Sequence, residues 1–331
     1  MANPFTEGPF TAEYAGSPFV HVDVGARGGI DRRWSPFKKH FQTVLVEADE
    51  AAYQELIAAA ASDATLNPIF AALHNAPGTI KFHITRKGEC SSVIPPNREI
   101  LDRFPDSNRF DVVSTISLEA TTLDLVLQKH GINEIDFLKI DAQGSTLPIL
   151  EGSREALEGA YGVEVETEFL PMYQGQTLFN QVDCFMRSSG FELFDINRFY
   201  WKRPNGGSVG RRRGQLIFGD ALYLRSPEEF TRRIASQAKG KVIKATLASL
   251  AYGYPDLAVA IWDKALEKAI VDKDEHQGAV AYLERDGRKA TWLAKIIPAR
   301  LKVARVMQLM VDLMLRGGLY DCDGRLGNTP K

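Results

Sequence analysis

Short apolar runs punctuated by turns dominate positions 18–225. Phe19 to Val24, Thr43 to Glu47, Ile135 to Ile140, Val163 to Phe169 and Gln215 to Leu224 are rich in β-branched and aromatic residues, which predicts strands. Thr79 to Thr85 sets Ile80, Phe82 and Ile84 in alternation with polar residues, the period of a strand with one wet face. Leu66 to Leu73, interrupted by Pro68, Val112 to Leu118 and Phe191 to Ile196 read as further strands. Helices are predicted between them. Glu50 to Ala61 is alanine-rich, Ala120 to His130 ends at Gly131, a stretch capped by Ser145 carries Leu150, Ala156 and Leu157, and Thr177 to Ser189 ends at Gly190. Strands alternating with helices predict an α/β fold with a mostly parallel sheet covered on both faces. Residues 86–109, with three prolines, read as a long loop, and loops of that length are usually functional or disordered.

Past Arg225 the pattern turns helical. Ser226-Pro227-Glu228-Glu229 is a capping box with proline at the first helical position, and Asp256 to Ala269 lines up Leu257, Ile261, Trp262, Ala265 and Leu266 on one side. Residues 296–315 are apolar with Arg300, Lys302 and Arg305 interspersed, suited to packing on the rest of the chain or on a second copy. The expected organisation is an irregular lead-in over 1–17, an α/β unit over 18–225 and a helical extension over 226–331.

The 331 residues suffice for a sizeable core, and a net charge of −2 gives no global field for nucleic acid. Three cysteines without a C-x-x-C pair offer neither a zinc site nor a disulfide framework, which suits a reducing compartment. With no signal-peptide core and no apolar run of the ~18 residues that a membrane span needs, the sequence reads as soluble and cytoplasmic.

The chemistry concentrates at Phe19 to Ile30, FVHVDVGARGGI, a strand running into a glycine-rich turn. In open α/β sheets ligands bind past the carboxyl ends of the strands, where strand order reverses. Ala26 and Arg27 break the G-x-G-x-x-G spacing of a dinucleotide site, which disfavours a nicotinamide oxidoreductase. Asp23 and Glu47 fit a ligand with an amino-acid end and a ribose, and a tight turn without a ligand is the plain alternative.

FLKIDAQGSTLPILEGSREAL at 137–157, followed by EVETEFLPMYQGQTLF and FELFDI, resembles the FkbM family of S-adenosylmethionine-dependent methyltransferases. FVHVDVGARGG and VLVEADE match the same family's cofactor motifs, and the similarity runs over residues 18–225. The resemblance implies a Rossmann-like, seven-stranded class I methyltransferase sheet whose last strand is antiparallel. It implies S-adenosyl-L-methionine as cofactor, leaving as S-adenosyl-L-homocysteine. Asp23 and the backbone of Gly25, Ala26, Arg27, Gly28 and Gly29 would meet its methionine end, Glu47 with Ala48 its ribose, and Leu73 with His74 its adenine. Arg27 stands where the family most often has asparagine, and Thr146 where it often has glutamate.

Methyl transfer from a sulfonium needs alignment, and a hydroxyl acceptor gains from a nearby base. Asp141, at the end of the fourth core strand, is the first candidate for that base, with Glu168 or His74 second; a purely structural Asp141 is the alternative. Lys139 is expected to pair with Glu164, Glu166 or Glu168. A magnesium ion on Asp141 is chemically open, but no spacing demands one, so no metal is assigned. The acceptor is expected to be a small molecule or glycan bearing the hydroxyl, met by Tyr173; Arg211, Arg212 and Arg213 of the cationic segment 197–213 would clamp a phosphorylated, sulfated or acidic glycan, and a solvated surface loop is the plain alternative. A non-catalytic scaffold of a glycan pathway, with a degenerate methyltransferase-like domain, is the rival reading; homo-oligomers would form through the C-terminal helices.

Overall fold

The computed structural model describes residues 17–29, 31, 33–34, 37, 40–206, 214–234, 238–296, 306, 310, 319–323 and 326. Arg211, Arg212 and Arg213 and most of 296–315 lie outside the described residues.

The first strand, β1 (Phe19–Val24), is parallel to β2 (Phe41–Glu47) on one side and to β7 (Phe137–Ile140) on the other. Beyond β2 lies β3 (Leu66–Phe70); beyond β7 lie β8 (Gly162–Glu168), β10 (Gln215–Leu224) and β9 (Glu192–Trp201). β10 runs antiparallel to both of its neighbours. Strand order therefore reverses between β1 and β7, which opens a crevice at their carboxyl ends. The seven strands and the antiparallel β10 agree with the expected sheet. An eighth strand, β11 (Tyr320–Cys322), pairs with the outer edge of β9, so the C-terminal extension is not wholly helical.

Leu66 to Leu73 does not form one strand. β3 stays in the main sheet, and β4 (Ala72–Leu73) crosses to a small sheet with β6 (Val112–Thr121) and β5 (Gly78–Thr85). Pro68 is tolerated because β3 is an edge strand, where a missing N–H breaks no inner ladder. β6 runs three residues past Leu118, so the helix expected from Ala120 starts later, as α3 (Leu123–Lys129), with Thr122 accepting from Leu125 N at 3.2 Å. Between β5 and β6, the segment from 86 holds one short α-helix, α2 (Arg98–Leu101), flanked by single 3₁₀ turns at Gly88–Cys90 and Ser107–Phe110.

The helix expected after Ser145 is broken into α4 (Thr146–Glu151) and α5 (Arg154–Gly159). A Cβ on the intervening Gly152 would lie 2.3 Å from the carbonyl oxygen of His74, so close approach fixes the break. Ser145 makes no capping bond. α1 (Glu50–Ala60) and α6 (Phe179–Ser188) fall where the pattern put them.

Two cores sandwich the main sheet. Val22, Val24, Val44, Val46, Leu138 and Ile140 meet α3, α4, α5 and α6 on one side. On the other, Phe19, Phe41, Phe137 and Leu222 meet α7 (Pro227–Arg233), α8 (Lys239–Ala251) and α9 (Pro255–Glu267), which are followed by α10 (Lys273–Ile296). The helical extension thus shares a core with the sheet. Buried polar contacts fix it further: Lys241 and Lys244 reach Asp136 at 2.8 and 2.9 Å, Tyr161 and Ser249 hydroxyls lie 2.8 Å apart, and Tyr252 donates to Glu164. Among the described residues no helix is long and apolar enough to cross a membrane.

Candidate active site

A cavity of about 430 Å³ opens at the strand-order reversal. The tips of β1 and β2 supply Gly25, Arg27, Gly28, Glu47 and Ala48, the small sheet supplies Leu73 and Phe82, and the segment after β5 supplies Gly88 to Val93 in part. The turn after β7 supplies Asp141, Gln143 and Ser145.

Gly25 is required where it stands. Its φ is +75°, and a Cβ there would lie 1.9 Å from the carbonyl oxygen of Asp141. Gly25 N donates to Val46 O and Asp141 N to Val24 O, both at 2.9 Å, so three strand ends are locked together around the cavity.

Glu47 is nearly buried, and its Oε1 accepts from the backbone amides of Ala48 and Asp49, each at 2.9 Å. Burial pushes its carboxyl up, against the pull of those two amides. No hydrogen bond engages Oε2 among the described residues, which leaves it for a ligand. Arg27 pairs with Asp49 at 3.2 Å, and its guanidinium lies where a Cβ on Gly88 would come within 3.0 Å, so it spans from the glycine turn to the 86–93 segment.

Gln143, read from sequence only as part of a turn, is the hub of the opposite wall. Its Nε2 donates to Glu166 Oε1 at 2.8 Å and to Asp141 Oδ1 at 3.3 Å, and its Oε1 accepts from the Tyr173 hydroxyl at 2.9 Å. Its backbone oxygen accepts from Ser92 Oγ at 2.6 Å. Ser145 was expected to cap a helix; instead its hydroxyl sits in the cavity wall, buried and without a hydrogen-bond partner. Such an orphaned group is a ready ligand contact.

The structure brings Gly25, Arg27, Gly28, Glu47, Ala48, Leu73 and Asp141 together around the cavity. Asp23, Ala26, Gly29, His74, Glu168 and Tyr173 are not in its lining. Asp23 is fully buried; its Oδ1 lies 3.1 Å from the Lys139 ammonium, and its Oδ2 is without a hydrogen-bond partner among the described residues. Burial raises Asp23 to about 6 despite Lys139. Lys139 is raised too, because the attraction of Asp23, Asp141 and Glu164 outweighs its burial. His74 Nδ1 lies 2.7 Å from Asn75 Oδ1. Glu168 is 1% exposed, with Oε1 unpartnered, and burial pushes it to about 7. Glu166 is pushed well up by burial and by Asp141, Glu168 and Asp220; Asp220 rises to about 7, mainly by burial. Tyr173 is fully buried and reaches the cavity lining through Gln143. Among the described residues no group of three or more His, Cys, Asp or Glu is placed to hold a metal ion.

A doubly wound sheet of this strand order, with an acid at the tip of β2 and another at the tip of β7, has the architecture of a methyltransferase. The chain belongs to the FkbM methyltransferase-domain family, whose signature matches residues 23–193. No curated protein matches the chain significantly. Solved structures that match the chain include precorrin-6y C5,15-methyltransferase from Geobacter metallireducens GS-15, at 11% identity, 63% coverage of this chain and 81% of that one, with a TM-score of 0.29. Magnesium protoporphyrin IX methyltransferase from Synechocystis PCC 6803, with bound SAM, has 10% identity, 66% and 74% coverage and a TM-score of 0.30. TYW2 from M. jannaschii, in complex with AdoMet, has 12% identity, 65% and 74% coverage and a TM-score of 0.27.

Proposed function

We propose that the protein transfers a methyl group from S-adenosyl-L-methionine to a hydroxyl of a sugar, glycan or related metabolite. The reading rests on one observation: the Asp141 carboxylate lines the same cavity as a glycine cradle and an open Glu47 oxygen. The fit to the cofactor is chemical. Gly25 and Gly28, both at positive φ, let a ligand approach the backbone; Glu47 Oε2 can accept from ribose hydroxyls, and Ala72 and Leu73 offer an apolar wall to a purine. Bound there, the cofactor supplies an electrophilic methyl group on a sulfonium cation.

The chain's own residues do the rest. Glu47, Asp49, Glu89 and Asp141 line the cavity; Arg27 pairs with Asp49 and Lys87 with Glu89, which leaves Glu47 and Asp141 to meet a cationic donor. Asp141, steadied by the Gln143 amide, accepts the proton of the acceptor hydroxyl. Arg27 and the 86–93 segment limit the access of water from the outer side. The free state of Cys90, Cys184 and Cys322 supports work in a reducing, cytoplasmic compartment.

Calorimetric titration with S-adenosylmethionine, S-adenosylhomocysteine and NAD tests the reading. Saturable binding of the first two is expected. Binding of NAD alone, or of none of the three, refutes it.

A further inference from the structure

We propose that Gln143 is the positioning residue of this site: its amide holds the Asp141 carboxylate apart from Glu166, and Ser92 and Tyr173 hold Gln143. The inference rests on the methyltransferase reading only for its choice of probes. The geometry is over-determined. Gln143 has φ +37°, a left-handed conformation that a side chain rarely adopts, and Ser92 Oγ secures it by donating to its carbonyl oxygen at 2.6 Å. Its side chain then spends both amide hydrogens on two carboxylates, Asp141 and Glu166. Tyr173 sets which way round the amide lies, because its hydroxyl donates to Gln143 Oε1 at 2.9 Å. The opposite orientation would press a carbonyl against both acids.

The same phenol lies 3.0 Å from the carbonyl oxygen of Cys90, so one proton serves two acceptors and ties the segment after β5 to the hub. Burial keeps the Tyr173 hydroxyl protonated by pushing it well up. Titratable groups surround Asp141 and feel its charge: Lys139 on β7, Asp23 on β1, Glu166 and Glu168 on β8, and Asp220 on β10. Glutamate at position 143 has nearly the same shape but would set a third acid between two. An amide satisfies all three partners at once, since it donates twice and accepts once.

S-adenosylmethionine is a cation and S-adenosylhomocysteine is neutral, so the ratio of their affinities reports the charge around the cavity wall. Calorimetry from pH 5.5 to 8.5 on the wild type, Gln143→Glu and Gln143→Leu reads that ratio. In the wild type, preference for the cation is expected to weaken on acidification, with a defined midpoint. In Gln143→Glu the midpoint should rise by about one pH unit or more, the effect of a like charge. In Gln143→Leu, which removes the donors without adding charge, it should rise less. Gln143 itself lines the cavity, so affinity for both nucleosides is expected to fall together in the variants, and only their ratio reads the charge.

A preference that does not vary with pH, a midpoint unmoved in the folded variants, or loss of the folded state in both variants overturns the role given to Gln143. Should Gln143→Glu alone fail to fold, the Gln143→Leu midpoint decides. Failure of the wild type to bind either nucleoside refutes the methyltransferase reading instead.

Discussion

A Cβ on Gly25 would meet the carbonyl oxygen of Asp141 at 1.9 Å, so the turn after the first strand and the acid at the end of β7 share one clearance. Gly25→Ala should therefore injure fold and site together. The left-handed backbone costs a side chain about 1–2 kcal/mol, and the overlap adds about 1–3 kcal/mol if strands shift to relieve it. A lower melting temperature with loss of S-adenosylhomocysteine binding is expected. A variant that melts like the wild type would show the clearance to be unimportant.

Glu47→Gln keeps the shape but removes the charge that ribose hydroxyls would meet. Hydrogen bonds to a charged group contribute about 1.5–3 kcal/mol, so affinity for S-adenosylhomocysteine should fall about 10- to 100-fold with little change in stability. Calorimetry checks this; unaltered affinity would place the ribose elsewhere.

Asp23→Asn should act on the fold. It strips the carboxylate from the Lys139 ammonium, which is 22% exposed and keeps the attraction of Asp141 and Glu164; the loss should cost about 1–3 kcal/mol, short of the full cost of an orphaned buried charge. Chemical denaturation should register most of that, and the affinity of the remaining folded protein for S-adenosylhomocysteine should stay within about threefold. Abolished binding in a stable variant would instead put Asp23 at the ligand.

Stability should decline from pH 5 to pH 7.5. Asp23, at about 6, and Glu168 and Asp220, at about 7, are raised mainly by burial, and Glu166 is raised as well. Each holds its proton in the fold above the pH at which the unfolded chain releases it, so stability is fully present below the unfolded values and is lost as pH rises through the folded ones. His21 opposes this: burial lowers it to about 3, so it destabilises only as pH falls below its unfolded value of 6.5. Several acids outweigh one imidazole. A melting temperature that climbs steadily over this range would contradict these burials.

A chain ending at residue 225 should not fold cooperatively. Phe19, Phe41, Phe137, Tyr161 and Leu222 would lose the helices that cover them, and Asp136 and Glu164 would lose Lys241, Lys244 and Tyr252. Near-ultraviolet circular dichroism and dye binding would reveal exposed apolar surface. A native-like spectrum would mean the sheet stands alone.

The strands of the main sheet were legible because β-branched runs and the glycines that end them are local signals. Gly25, Glu47 and Asp141 were legible for the same reason, each following its strand in sequence. What escaped depends on contacts across the chain. Gln143 draws its importance from Ser92, Glu166 and Tyr173, none of them near it in sequence. Asp23 alternates with Val22 and Val24, but both faces of β1 are buried, so alternation alone could not say that it meets Lys139. The break at Gly152 comes from a carbonyl brought in by His74, and β11 is too short to carry a pattern.

The two outermost strands are poor templates. β11 is only three residues long, and β3 carries Pro68 among its five. A ribbon margin so curtailed offers little backbone for a stranger to pair with, so crowding in the cell should not draw these molecules into fibres along their main sheet.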